Sequence, residues 1–154
     1  MKIQVKVQTE DFDIAALYRQ LQQDCPAVGA IVTFTGLVRE INLNSQVGGL
    51  FLEHYPGMTE KTLHAIAEDA GKRWALAQVI IVHRVGQLHP ADQIVYVGVN
   101  SAHRGDAFAA CDFIMDFLKT RAPFWKRETT PEGERWVDAR ASDQAAAKRW
   151  HTGD

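Results

Sequence analysis

The sequence predicts an α+β fold: a mixed or antiparallel sheet with packed helices and a small β-hairpin subdomain. Three observations carry that expectation. Stretches of strand and helix periodicity are interleaved along the chain, the connections among several strands have hairpin chemistry, and the composition suits a single domain over residues 1–154. Of the 154 residues, 46% are hydrophobic and 23% charged, which excludes disordered and fibrous classes. A chain of this size buries roughly 70% of its unfolded surface, so its stability needs no disulfide or metal.

From the N-terminus, Ile3, Val5 and Val7 alternate with Lys2, Gln4, Lys6 and Gln8, the period of a strand. Ile14, Leu17, Tyr18 and Leu21 then recur at helical spacing up to Cys25 and Pro26, which gives a short amphipathic helix. Residues 29–36, a β-branched run between glycines, predict a buried strand, and the polar Gly/Asn-rich stretch 37–49 predicts a mobile loop. Leu50 to His54 reads as another strand, stopped by Tyr55, Pro56 and Gly57. Thr59 as N-cap, with Glu60 in the first turn, opens a second helix whose apolar stripe is Leu63, Ile66, Ala67, Ala70 and Trp74.

Residues 78–85 and 93–99 are strands joined by a short Gly/Pro/Asp connection, which suggests a hairpin. The longest helix follows from about Ala102 to Arg121, with Ser101 at its start and Pro123 as its stop. Phe124–Glu128 and Arg135–Ala139 read as short strands around Thr130-Pro131-Glu132-Gly133, a stretch with turn chemistry. The end of the chain, with Ala145, Ala146, Ala147 and Trp150, is either a terminal helix or a flexible tail over about 142–154.

Charge narrows the function. With 17 Lys plus Arg against 19 Asp plus Glu, the formal charge is -2, so nothing draws the protein as a whole to nucleic acid or acidic membrane. No run approaches the ~18 apolar residues of a membrane span, and the N-terminus lacks the apolar core of a signal peptide. Cys25 and Cys111 form no pair with metal or redox spacing, which suits a reducing cytoplasm.

The informative cations are those in apolar surroundings. Projected at 100° per residue, Ala107, Phe108, Cys111, Ile114, Met115 and Leu118 share one stripe of the long helix, and Arg104 and Lys119 fall on the same stripe. Either both side chains snorkel from the helix ends, or they await a partner or ligand. Beyond the helix, Arg121, Lys126 and Arg127 are interleaved with Phe124 and Trp125. Strand alternation puts Phe124, Lys126 and Glu128 on one face and Trp125 and Arg127 on the other. Two lysines among aromatic walls make a cationic pocket in which like charge and partial burial lower an amine's proton affinity toward neutrality. The competing reading is an edge hairpin protected by charges.

At the other end of the helix, Ser101, Ala102, His103 and Arg104 bring a hydroxyl, an imidazole, a guanidinium and free backbone N–H groups to one point, suited to phosphate or carboxylate. Leu37, Val38 and Arg39 follow a strand end at Gly36, where glycine permits a close backbone approach. Arg104 and Lys119 lie about 22 Å apart along a straight helix, too far for one small-molecule pocket within a subunit. Antiparallel packing of two copies of the helix about a two-fold axis near Cys111 would bring Arg104 of one against Lys119 of the other, so a homodimer with shared sites is expected.

Other residues point elsewhere. His54, His64, His83 and His89 have no HxH or HExxH spacing, so no catalytic metal is expected, and Cys111 sits mid-stripe as core. There is no nucleophile elbow, dinucleotide fingerprint or P-loop, so no cofactor is expected.

The sequence resembles the large, catalytic subunit family of molybdopterin synthase. The matching blocks are residues 29–36 through Arg39, then Leu52-Glu53-His54-Tyr55-Pro56-Gly57-Met58-Thr59-Glu60-Lys61, Val82-His83-Arg84-Val85-Gly86 and Ser101-Ala102-His103-Arg104. The most specific is Leu118-Lys119-Thr120-Arg121-Ala122-Pro123-Phe124-Trp125-Lys126-Arg127-Glu128, followed by Pro131, Gly133 and Arg135-Trp136-Val137. The resemblance covers about residues 28–150; Ala91 departs from it, since the family tends to have Gly before the Asp of that turn.

The resemblance implies an α/β-hammerhead-like fold and a sulfurtransferase that makes molybdopterin from cyclic pyranopterin monophosphate, a pterin phosphate, in molybdenum cofactor biosynthesis. It implies that the sulfur comes from the thiocarboxylated C-terminal glycine of a small ubiquitin-like sulfur-carrier subunit, in a heterotetramer built on a homodimer of the large subunit. By that resemblance Lys119 and Lys126 are the catalytic pocket lysines, and Arg39, His103 and Arg104 bind the pterin phosphate. Leu37 and Val38 belong to the substrate-binding turn, Arg127 and Glu128 flank the pocket, and Arg140 is a further candidate. The groove by Phe34, Met115 and the hairpin 124–137 would receive the carrier's tail. Two other functions stay open: a non-catalytic module that binds a carboxylate tail or phosphometabolite through the same cations, and a stand-alone phosphometabolite enzyme.

Overall fold

The computed structural model describes residues 1–42, 45–46, 48–137 and 141–151. The elements are β1 (Lys2–Gln8), α1 (Ile14–Gln22), β2 (Ala30–Leu37), β3 (Ile41–Asn42), β4 (Ser45–Gln46), β5 (Gly49–His54) and α2 (Met58–Arg73), then β6 (Leu76–Arg84), β7 (Gly86–Leu88), β8 (Gln93–Ser101), α3 (Arg104–Arg121), β9 (Phe124–Thr130), β10 (Gly133–Val137) and α4 (Ala141–Lys148). They build the expected α+β architecture from two four-stranded sheets and a short ribbon. The first sheet has the order β1-β6-β8-β2, with β1 parallel to β6 and the other pairs antiparallel. The second, β10-β9-β5-β7, is antiparallel throughout.

The central strands β6 and β8 read as continuous apolar runs because both faces are covered. The two-residue period sends Val79, Ile81, Val95, Val97 and Val99 into the core with α2 and α3, and Ile80, Val82 and Tyr96 to the opposite face under α1. A third cluster, Val38, Leu50, Leu52, Val85 and Leu88, joins the two sheets. The chain passes between them at Val85 and Gly86: β6 ends in the first sheet, and Gly86, at a φ of 84°, starts β7 against Leu52 of β5. Residues 78–85 and 93–99 thus pair as expected, but their connection carries a strand of the other sheet.

Several local expectations are corrected. Residues 37–49 are not all loop, since Ile41–Asn42 and Ser45–Gln46 pair with each other. The cap of α2 is Gly57, not Thr59: at a φ of 85°, Gly57 turns the chain earlier, and its N–H donates to the Glu60 carboxylate at 2.9 Å. Thr59 is buried inside the first turn, where its hydroxyl donates back to the Tyr55 carbonyl.

On α3 the buried face is Ala107, Ala110, Cys111, Phe113, Ile114, Phe117 and Leu118, whereas Phe108, placed in the core stripe by periodicity, is 62% exposed. The face is rotated because α4 adds an apolar neighbour that period analysis cannot see. Trp150 packs edge-on against Phe113 and Trp74, its indole N–H donates to Asp116, and Arg149 pairs with Asp112 and Asp116. The one departure from the family pattern leaves a conformational trace: Ala91 has a φ of 73°, the left-handed region that glycine occupies without cost.

Candidate functional site

Of the two lysines expected to share a pocket, Lys119 lies where α3 ends and Lys126 where β9 begins. Lys119 stands exposed in the last turn of α3, where the carbonyl end of the helix favours a cation. Lys126, half-buried, lies opposite Leu52 on β5, and Phe124 lies opposite His54. Directly paired residues of antiparallel strands share a face, so Lys126, Phe124, Leu52 and His54 point the same way. The expected alternation therefore holds: Trp125 faces out, edge-on to Tyr55 at 4.5 Å.

Beneath this face lies His83 of β6, 5% exposed, with its ring stacked flat on Phe124 at 3.9 Å and 19°. Its Nδ1 lies 2.8 Å from the Arg84 carbonyl, an acceptor only, so Nδ1 carries the proton and donates. Burial holds its pKa down to about 3, and the neighbouring charges of Lys126, Lys119 and His54 act in the same direction. The floor of the lysine site is thus an uncharged imidazole. In the sequence His83 sits in a run of valines and isoleucines and lacks metal-ligand spacing.

The other candidates separate into groups. Glu128 is 4% exposed and accepts two hydrogen bonds from the Arg135 guanidinium, at 3.2 and 3.0 Å, on the same face as Lys126. Arg127 is turned to the opposite face, where it lies 4.9 Å from the Phe51 ring centre and 3.5 Å from Glu134. Leu37 is exposed after a register shift at Gly36, where a Cβ would come within 2.8 Å of Val95, while Val38 is buried and bonded through its backbone to Asp92 and Ala91. Arg39 is exposed just beyond β2. His103 caps α3 and Arg104 is its first residue, both exposed. Ser101 is removed from this anion site: it is buried, and its hydroxyl donates to the Ala75 carbonyl at 2.7 Å. Arg140 lies outside the described residues.

The eighteen-residue α3 runs unbroken from Arg104 to Arg121, so within one chain Arg104 and Lys119 sit at opposite ends of it. Exposed Phe108 stands on the helix between them. Cys111 is an unreactive thiol, buried and pushed up to about 12 by desolvation. Among the described residues no group of His, Cys, Asp and Glu is arranged to hold a metal. Nor is any helix among them long and apolar enough to cross a membrane. A groove of about 490 Å³ bordered by Lys72, Arg73, Phe113, Phe117, Arg121 and His151 lies apart from every candidate, and its arginines are engaged: Arg73 with the Trp150 carbonyl and Arg121 with Asp69.

Comparison with known proteins identifies the family. The family described as MoaE protein matches residues 7–121. The molybdopterin synthase catalytic subunit of Vibrio cholerae serotype O1 is 58% identical over 150 residues, 97% of this chain and 99% of that one. The protein of the same name from Escherichia coli K12 is 66% identical over 122 residues, 79% of this chain and 81% of that one. Among solved structures, the molybdopterin biosynthesis MoaE protein from Burkholderia ambifaria MC40-6 is 54% identical with a TM-score of 0.84, covering 99% of this chain and all of that one (100%). Sequence likeness and shared architecture thus extend over nearly the whole chain, and the chain belongs to the MoaE family, that of the molybdopterin synthase catalytic subunits.

Proposed function

We propose that the protein is the catalytic subunit of a molybdopterin synthase, a sulfurtransferase acting in the cytoplasm on cyclic pyranopterin monophosphate. Its sulfur arrives as the thiocarboxylated C-terminal glycine of a small ubiquitin-like carrier subunit; that the relatives are named as catalytic subunits fits an assembly with such a second chain. The observation that carries the reading is the pair of lysines, Lys119 and Lys126, gathered over an uncharged floor. Both reactants are anions, and two fixed ammoniums in a partly desolvated site draw them together and offset the charge that develops when sulfur attacks.

Lys119, at the more open position, handles the proton as the thiocarboxylate attacks and as water later releases the acyl group. Lys126, on the rigid strand pair, holds substrate and developing negative charge. Arg39, His103 and Arg104 bind the phosphate, with Leu37 and Val38 shaping the turn that presents Arg39. Arg127 and Glu128 hold the hairpin that carries Lys126, and Arg140 contributes from the segment beyond it. Because Arg104 and Lys119 are a helix apart, His103 and Arg104 serve the site of a second copy, packed through the exposed face around Phe108. The sites are then completed only in a homodimer, which with two carriers forms a heterotetramer.

The test is an in vitro assay with the purified protein, cyclic pyranopterin monophosphate and a thiocarboxylated carrier. Wild type yields the dithiolene product, while Lys119→Ala and Lys126→Ala lose it with carrier binding intact. A folded, carrier-bound wild type that forms no product would refute the enzyme reading and leave a binding module in its place.

A further inference from the structure

The edges of the two four-stranded sheets are unequally guarded. β1 carries Lys2 and Lys6, β10 carries Glu134 and Arg135, and β7 is three residues long. β2, the remaining edge, is eight residues, Ala-Ile-Val-Thr-Phe-Thr-Gly-Leu, without a charge or a proline. A long apolar edge of this kind offers its row of N–H and C=O groups to another strand. Two of its apolar side chains, Phe34 and Leu37, are 41% and 54% exposed.

This edge continues the helix face through which a second copy is already expected to pack. α2 lies on β1 and β6, and α3 on β8 and β2. Phe113 of α3 turns toward Trp74 and Trp150, and exposed Phe108, five residues earlier, lies about 140° around the helix, on the side away from them. Phe34 pairs with Val97, which faces the core under α2 and α3, so Phe34 and Phe108 share one side of the sheet. The same strand shows why one chain leaves the anion site incomplete. Only Ala102 and His103 separate β8 from α3, which folds back along β8 and β2. With β2 about 26 Å long and α3 about 27 Å, Lys119 ends near Leu37 and Arg39, while His103 and Arg104 stay by Ala30, opposite Ser101. Arg39 is thus a strand's length from the two residues with which it is expected to bind phosphate.

We propose that two copies of the chain join by antiparallel pairing of their β2 edges about a two-fold axis at Phe34, and that this pairing sets Arg39 of each copy beside His103 and Arg104 of the other to hold one phosphate group. A two-fold normal to the sheet keeps each face on its own side, so only residues of the same face oppose one another: Phe34 meets the second copy's Phe34, and Val32 fits against Gly36. Arg39, past the end of β2, arrives at the second copy's Gly29. That glycine lies against the Ala102 carbonyl with no room for a Cβ, and its N–H donates to the Ser101 carbonyl at 3.0 Å, so His103 and Arg104 are close at hand. The two α3 helices run antiparallel on one side of the joined sheet, with Phe108 of each turned toward the other. The inference rests on the synthase reading only for the identity of the phosphate-bearing ligand; it goes beyond that reading in naming the strand that joins the copies and the register that builds the site.

Disulfide mapping tests the register. In a Cys25→Ser background, Phe34→Cys should link two chains under mild oxidation, because directly opposed residues bring their Cβ atoms to about 4.5–5.5 Å. Thr33→Cys should not link to itself but should link to Thr35→Cys, which it opposes in this register. Phe34→Lys sets like charges against each other at the axis; it should sediment as a monomer with a native circular dichroism spectrum and lose protection from hydrogen exchange along β2. A wild type that is monomeric at micromolar concentration, or a dimer in which neither Phe34→Cys nor the mixed Thr33→Cys and Thr35→Cys pair links, would overturn the proposal.

Complementation tests the shared site. In the dithiolene assay Arg39→Ala and Arg104→Ala should each lose most of the activity. A one-to-one mixture, refolded together and shown by differential tagging to contain mixed dimers, should recover about a quarter of the wild-type rate, since half of the dimers are mixed and each of those holds one intact site. A mixture no more active than its components would refute the shared site. Failure of wild type to make product would instead refute the synthase reading and leave the disulfide pattern standing.

Discussion

Acid should destabilise the protein through one residue. His83 is neutral when folded, with a pKa of about 3, against 6.5 for an unperturbed imidazole. The unfolded chain thus takes up a proton that the folded one refuses, so the contribution to stability is complete above the unfolded value and is lost as pH falls from about 6.5 toward 3. Linkage gives a loss of about 2 kcal/mol at pH 5 and about 3 kcal/mol at pH 4 relative to neutrality. For a chain of this size that corresponds to a fall in Tm of roughly 4–8 °C at pH 5. His83→Phe separates this effect from other acid-sensitive groups: the variant lacks the hydrogen bond to the Arg84 carbonyl, a roughly constant cost of about 1 kcal/mol, but has nothing to titrate there. The assay is urea unfolding of both proteins at pH 7, 6, 5 and 4. Whatever advantage wild type holds at pH 7 should shrink steadily and reverse by pH 4. A stability difference that stays flat over that range would show that His83 titrates normally and is not desolvated.

Three further outcomes follow from particular contacts. Ala91→Gly should stabilise the protein by roughly 0.5–1 kcal/mol in urea unfolding, because it removes a left-handed alanine and loses only part of that gain to chain entropy; no gain would mean that the turn tolerates the side chain without strain. Arg135→Ala should cost on the order of 3 kcal/mol, since it removes a two-point partner from a carboxylate that is 4% exposed, and a loss below about 1 kcal/mol would place Glu128 in a wetter setting than its burial implies. Phe108→Asp should turn a dimer into a monomer by light scattering with the thermal midpoint of the subunit little changed, because the ring is already exposed in the single chain; a variant that stays dimeric would move the interface away from α3.

The fold was readable wherever one physical signal acted alone. Strand alternation in β1 and the continuous apolar runs of β6 and β8 follow directly from how many faces of each strand are covered. The errors occur where a partner remote in sequence decides. Phe108 has the right period for the core of α3, but burial there is set by α4, which turns the helix toward Phe113 and Phe117. Thr59 has the chemistry of a cap, but the φ of Gly57 moves the helix start ahead of it. β7 is three residues long and gains its meaning only from pairing with β5.

The same division holds at the site. Lys119 and Arg104 stand out in the sequence because charge on an apolar stripe is a local contradiction. His83 is no such contradiction, since a histidine in a strand is unremarkable until Phe124, far along the chain, is found lying on it. Two ammoniums side by side repel each other, and a carboxylate between them would relieve that repulsion while occupying the charge that the phosphate and thiocarboxylate need. Glu128, the acid on the same strand face, is instead engaged with Arg135, so its charge is already answered. Glu128 thus adds little net negative charge to this strand face. On this reasoning Glu128→Gln, which removes a negative charge from the strand face of Lys126, should tighten anion binding while destabilising the hairpin, and a variant with weaker phosphate binding and an intact fold would show that Glu128 serves the reaction directly.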